Sequence, residues 1–174
     1  DLPDGQIPAD WTRYVAIDPG NRVCAALFLA VPPDDAKSPA DCPFDVARHV
    51  YVYDEIYLTD ATDEKMALAM RAKCEGQTIH AFIIDDNGSR RTEFGGYSIR
   101  QQLKRAFERH GVKCVARGHG FVTGSNDVQA GCAMVRTFLR DKQADGRPRL
   151  LVVKETTPRL QDNMKYYRRK IIGG

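Results

Sequence analysis

The stretch Arg13-Tyr-Val-Ala-Ile-Asp-Pro-Gly-Asn21 decides the fold, because an alternating apolar strand runs directly into a tight turn. A second apolar run follows the turn at residues 22–31, and a third, rich in Val and Tyr, covers residues 47–57. Three successive strands with no helix between them predict an antiparallel meander.

The remainder of the chain alternates between helical and extended patterns. The predicted helices are residues 62–74, 97–110, 126–140 and 157–169, and the predicted strands are residues 79–84, 112–116 and 150–154. This order predicts an α/β fold with a mixed sheet, in which the meander is followed by parallel strands and helices cover both faces. Residues 1–12 contain Pro and Gly and predict a lead-in or interdomain linker, so the folded domain is expected to span residues 13–174.

Composition excludes several classes of protein. A chain of 174 residues with 43% hydrophobic side chains can bury a core of its own without disulfides. No apolar run approaches the roughly 18 residues of a membrane span, so an integral membrane protein is excluded. The start at Asp1 shows no secretory leader and suggests a fragment of a longer polypeptide. Five widely spaced cysteines without a Cys-x-x-Cys pair are typical of reduced thiols in a cytoplasmic protein.

Charge is distributed unevenly along the chain. Residues 1–64 contain 4 basic and 13 acidic side chains, residues 65–135 contain 11 and 6, and residues 136–174 contain 11 and 4. An acidic first third and a basic remainder favour a domain that binds divalent cations at one place and a polyanion at another.

Acidic side chains end two of the predicted central strands. Asp18 follows the first strand directly before Pro-Gly, and Asp85 and Asp86 follow the apolar run at residues 79–84. Carboxylates brought together at one sheet edge repel each other unless a cation compensates, and they are the hard oxygen ligands that divalent ions prefer. The sequence therefore predicts a metal site at Asp18 and Asp85. Asp86 is the alternative to Asp85, although it is better explained as part of a turn.

Several short motifs, taken in order, resemble a known family. They are Ile7-Pro8 with Trp11, Tyr14-Val-Ala-Ile-Asp-Pro-Gly20, Tyr53-Asp-Glu-Ile-Tyr57, Phe82-Ile-Ile-Asp85, and Gly124-Ser-Asn-Asp-Val-Gln-Ala-Gly131 leading into Val135-Arg-Thr-Phe-Leu139. Together they look like the C-terminal nuclease domain of the large terminase subunit of tailed bacteriophages. The order and spacing of these motifs carry the resemblance, which extends from about residue 7 to residue 170.

The resemblance implies an RNase H-like, resolvase-like fold and metal-dependent cutting of concatemeric double-stranded DNA during genome packaging. It implies two Mg²⁺ or Mn²⁺ ions held by Asp18, Asp85 and a third acid, which the family carries beyond the last residue of this chain. It also implies an N-terminal ATPase domain in the same polypeptide, partners in the portal protein and small terminase subunit, and a location in the host cytoplasm, without membrane contact or secretion.

Basic side chains after the second acid are the predicted DNA contacts, because a cutter of duplex DNA binds phosphates. His119 lies in a glycine-bearing loop and is a further candidate. The other singled-out residues favour structural roles: Glu55 as a strand-edge charge, His110 at a helix end and Asp162 on a helix face. The predicted DNA-binding residues are Arg90, Arg91, Arg100, Lys104, Arg105 and His119.

Two other readings remain open from the sequence. The turn at residues 17–21 resembles the phosphate turn of actin-like or sugar-kinase-like ATPases, although the chain is short for such an enzyme. Alternatively, the domain is catalytically silent and docks on DNA or a portal protein through its basic surface. Metal binding separates a nuclease from a docking module, and nucleotide binding separates the ATPase from both.

Overall fold

A computed structural model describes residues 7–20, 22–38, 40, 42, 44–85, 96–116, 121–125 and 127–166. It confirms the α/β class predicted from the sequence, with a mixed sheet of the RNase H-like kind. The strands are β1 (Thr12–Pro19), β2 (Val23–Val31), β3 (Val50–Thr59), β4 (Ile79–Ile84), β5 (Phe121–Thr123) and β6 (Leu150–Val152). The helices are α1 (Asp63–Cys74), α2 (Ile99–Arg109), α3 (Val128–Arg140) and α4 (Pro158–Tyr166).

The sheet has the order β5-β4-β1-β2-β3-β6. The meander β1-β2-β3 is antiparallel, whereas β4 pairs parallel with β1, β5 parallel with β4, and β6 parallel with β3. The first strand therefore lies near the middle of the sheet, between a hairpin partner and a parallel neighbour. Five of the six strands run in one direction, so their carboxyl ends meet at one edge.

One face of the sheet packs against α1 and α2. Val15 and Ile17 on β1 and Ala26 and Phe28 on β2 point to this face, following the two-residue period of a strand. They share one core with the apolar residues of the two helices, and the rings of Phe82 and Phe107 lie 5.1 Å apart. The core thus fixes β1 and β4 side by side.

The opposite face is covered less completely. Ala16 and Leu27 on this face are only half-buried. The first turn of α4 lies over its β3 side, where the Glu55 carboxylate accepts bonds from the amides of Arg159 (2.7 Å) and Leu160 (2.8 Å). Helices thus contact both faces of the sheet, as the sequence predicted.

The end of the predicted lead-in packs onto the domain. The buried guanidinium of Arg13 donates to the carbonyls of Ile7 (2.9 Å), Pro8 (2.8 Å) and Ala9 (3.2 Å). Trp11 is buried, with its ring 4.8 Å from that of Tyr51. Residues 7–11 therefore have fixed positions relative to the sheet.

One predicted strand was wrong. Residues 112–116 form no strand, although the amides of Val115 and Ala116 donate to the carbonyls of Ile79 and His80. The neighbour of β4 is instead β5, at Phe121–Thr123. Buried Phe121 packs on Phe82 and Phe107, and this aromatic contact selects the later segment.

Candidate active site

Asp18 is the next-to-last residue of β1, just before the turn of the hairpin that joins β1 to β2. It pairs in register with Ala25, and Pro19 pairs with Cys24. The turn is tight at Gly20, where an added Cβ would lie 2.3 Å from the carbonyl oxygen of Val23. Any side chain at this position would force the hairpin to shift, so Gly20 fixes the backbone that carries Asp18.

Asp85 follows the last residue of β4. Ile17 and Ile84 are register partners in the parallel β1–β4 pair, so Asp18 and Asp85 each come one residue later. Ile17 and Ile84 are buried on the face of α1 and α2, and alternation places the next residue on the opposite face. The structure therefore brings the two predicted acids to the same edge and the same face of the sheet.

The Asp18 side chain is exposed to solvent, whereas Asp85 is half-buried. Burial first, and then the charges of Asp18 and Asp63, together raise the pKa of the nearby Cys24 thiol to about 11. The hairpin is thus a region of negative potential with an accessible carboxylate. Such a place attracts cations.

Strand β5 flanks Asp85 on the other side, which the sequence did not predict. Thr123 is the register partner of Ile84, and the Gly124 amide donates to the Ile84 carbonyl at 2.7 Å. An added Cβ at Gly124 would lie 3.4 Å from the Ile83 side chain. Glycine at position 124 therefore lets the chain leave β5 close beside Asp85. The short apolar segment Phe121-Val-Thr123, flanked by glycines, was the feature of the sequence that could have indicated β5.

Three other acids have contacts of a structural kind. Glu55 binds the amides at the start of α4, as described above. Glu64 on α1 accepts bonds from His110 and Arg109, which lower the pKa of its carboxyl. Asp162 lies 3.8 Å from Lys165 on the exposed side of α4. His110 thus joins α1 to α2, a role that the sequence alone did not indicate.

Three of the predicted DNA-binding residues lie on α2. Arg100 donates to the Thr123 hydroxyl (2.6 Å) and to the Phe121 carbonyl. Lys104 is partly exposed and 3.9 Å from Glu108, and the Arg105 guanidinium lies 3.8 Å from the centre of the Tyr97 ring. Asp86, Arg90, Arg91 and His119 lie outside the described residues.

Within the described ranges, no group of three or more His, Cys, Asp and Glu side chains has the arrangement of a metal site. Asp18 and Asp85 form a pair of carboxylates, which supplies part of a ligand set for an oxygen-binding cation. In the same described ranges, no helix is both long and apolar enough to cross a membrane.

Comparison with solved structures assigns the fold. The nuclease domain of the P22 large terminase aligns with 94% of this chain and 72% of its own length, with a TM-score of 0.57 and 18% sequence identity. The chain has the fold of a terminase nuclease domain. Neither the known family models nor the curated proteins contain a match to its sequence. The resemblance seen in the motifs is therefore confirmed at the level of the fold.

Proposed function

We propose that the chain is a metal-dependent endonuclease that cuts concatemeric double-stranded DNA during viral genome packaging. One observation carries the proposal: Asp18 and Asp85 occupy adjacent positions at the carboxyl edge of a sheet with the fold of a terminase nuclease domain. The P22 domain with this fold is a nuclease domain, and cutting of a phosphodiester needs paired acids near an open surface.

The acids fit a pair of divalent ions such as Mg²⁺ or Mn²⁺. Both side chains offer hard oxygen ligands, and Mg²⁺ commonly binds through one or two carboxylates together with water and substrate phosphates. When bound, such ions activate water and stabilise the leaving oxygen of a phosphodiester. Asp18 and Asp85 would hold them, while the tight turn at Gly20 and the β1–β4 pairing keep the two carboxylates in place.

Basic side chains with solvent access would bind the DNA backbone. Lys104 and Arg105 lie on α2, which begins shortly after the segment that follows Asp85, and both have solvent access. With Arg90, Arg91 and His119, they form the proposed phosphate contacts. Because phosphates carry no sequence information, we expect cutting with little sequence preference.

The proposed setting follows from the same function. A packaging nuclease works with an ATPase that moves the DNA, so we propose an N-terminal ATPase domain in the same polypeptide. The portal protein and the small terminase subunit are the proposed partners, and the host cytoplasm is the proposed location. Copurification with each partner tests this setting separately from the chemistry.

Plasmid cleavage tests the activity. Supercoiled plasmid is incubated with the protein and Mg²⁺, Mn²⁺, Ca²⁺ or a chelator, and nicked and linear products are measured. We expect cleavage with Mg²⁺ or Mn²⁺ and none with the chelator. DNA binding without cleavage under every condition would contradict the nuclease and favour the docking module.

A further inference from the structure

Arg100 connects the first turn of α2 to strand β5. One guanidinium nitrogen donates to the Thr123 hydroxyl at 2.6 Å, and the other donates to the Phe121 carbonyl. Arg100 itself is half-buried. Two of its directed donors are therefore engaged inside the protein, in the fork geometry that suits arginine.

Strand β5 needs such a connection because it is a short edge strand. It has three residues, and Val122 and Thr123 are exposed while Phe121 is buried. The aromatic contacts of Phe121 with Phe82 and Phe107 hold its first residue. At its last residue, the Thr123 side chain is held by Arg100.

The end of β5 borders the proposed metal site. Thr123 is the register partner of Ile84, and the next amide, that of Gly124, donates to the Ile84 carbonyl at 2.7 Å. Ile84 immediately precedes Asp85. A displacement of β5 would thus release the backbone that sets the direction of the Asp85 carboxylate.

We propose that Arg100 is a positioning residue, which holds β5 against β4 so that Asp85 stays beside Asp18 to bind metal. This inference rests on the proposed function. It replaces the prediction from the sequence that Arg100 binds phosphate. Removing a group that bonds directly to a metal ligand commonly changes metal affinity by about 10–100-fold, and Arg100 acts one strand further from Asp85, so its effect should lie at or below the lower end of that range.

The test compares Arg100→Ala, Arg100→Lys and Thr123→Val with the wild-type protein. Mn²⁺ affinity is measured by calorimetry without DNA, and hydrogen exchange of the Gly124 amide is followed well below the unfolding temperature. Affinity for duplex DNA and thermal stability are measured for the same variants. Arg109→Ala is the matched control, since Arg109 lies at the other end of α2 and binds Glu64 on α1. Asp18→Asn tests the metal site itself.

We expect Arg100→Ala to weaken Mn²⁺ binding by up to about tenfold and to accelerate Gly124 exchange about tenfold. Thr123→Val removes one of the two contacts and should have a smaller effect, and Arg100→Lys should restore part of the affinity. Arg109→Ala should change neither measurement.

If the wild-type protein binds Mn²⁺ and Asp18→Asn abolishes that binding, the metal site is supported. Unchanged Mn²⁺ affinity in Arg100→Ala would then overturn the role of Arg100 alone. A loss of DNA affinity with unchanged Gly124 exchange would overturn it in favour of a phosphate contact. No Mn²⁺ binding by the wild-type protein would overturn the metal site and, with it, the role of Arg100. A fall in thermal stability without a change in Mn²⁺ affinity would make the contact merely structural.

Discussion

Asp18 and Asp85 lie one residue beyond Ile17 and Ile84, which are register partners on neighbouring parallel strands. The two isoleucines are buried against the helices, with exposed fractions of 4% and 0%, so the pairing that places the acids is anchored in the core. The carboxylates themselves lie toward the less covered face. The scaffold of the site is therefore rigid, while its ligands remain accessible.

Asparagine substitution separates the two neighbouring acids. We expect Asp85→Asn to abolish Mn²⁺-dependent cleavage, since it removes a ligand charge at the end of β4. Asp86→Asn should keep most of the activity, because the sequence Asp86-Asn-Gly88 favours a turn that ends the strand. Metal titrations of cleavage measure both. A greater loss for Asp86→Asn would show that the second acid had been assigned to the wrong residue.

The tight turn at Gly20 should be essential for the position of Asp18. Gly20→Ala would place a Cβ 2.3 Å from the Val23 carbonyl oxygen, so we expect a loss of roughly 1–3 kcal/mol in the free energy of unfolding and lower cleavage. Gly131→Ala is the control, because nothing lies within 4 Å of its Cβ and it lies inside α3. That variant should be more stable by up to about 1 kcal/mol. Equal effects in denaturant titrations would contradict the account of the turn.

Most of the fold could be predicted because the meander and β4 each arise from residues that are close together in the sequence. The tight turn at Asp18-Pro19-Gly20 and the apolar run at Ile79–Ile84 are read directly from neighbouring residues. The strand predicted at residues 112–116 was wrong for a different reason. Two apolar segments could pair with the edge of β4, and the ring contacts of Phe121 with Phe82 and Phe107 favour the later one.

The two acids were predicted by the same kind of reasoning, since strand-end residues of parallel strands meet at one edge. The roles of Glu55 and Arg100 could not be read in this way. Glu55 accepts bonds from amides that lie 104 and 105 residues later in the chain. The two partners of Arg100 on β5 lie 21 and 23 residues later. Such contacts depend on tertiary packing and leave no periodicity in the sequence.

DNA affinity should depend steeply on salt. Each lost phosphate contact makes the negative slope of log K against log salt shallower by about 0.9 on duplex DNA, so replacing Lys104 and Arg105 by Ala should weaken binding and flatten the slope together. Adding alanine at Arg90 and Arg91 should extend both effects. Arg109→Ala, which loses a contact with α1, is the control. Binding that ignores salt would point to recognition of bases instead.

A buried histidine joins the α3–β6 connection to the start of β3. His49 is buried, with Nδ1 2.9 Å from the Pro148 carbonyl and Nε2 3.1 Å from Asp145. Burial raises the pKa of the Asp145 carboxyl, but the Arg147 amide and the His49 ring lower it by more, so the net shift is downward. The stabilisation is therefore complete above the unfolded value of about 3.9 and is lost as the pH falls through the folded value.

We accordingly expect Asp145→Asn to be less stable than the wild-type protein near neutral pH. The difference should shrink as the pH falls through the lowered pKa of the Asp145 carboxyl in the folded protein, where the wild-type side chain becomes protonated. Denaturant unfolding across this range measures it. A difference that stays constant down to pH 2 would show that the charge of Asp145 does not stabilise the connection.

The most direct test of the central claim is Mn²⁺-dependent plasmid linearisation by Asp18→Asn, compared with the wild-type protein at equal folded concentration. The substitution keeps the size of the side chain and removes the charge, and it relieves repulsion between carboxylates, so the variant should fold at least as well. We predict that it folds and that cleavage is abolished. Cleavage at the wild-type rate would contradict the assignment of Asp18 as a metal ligand and, with it, the proposed active site.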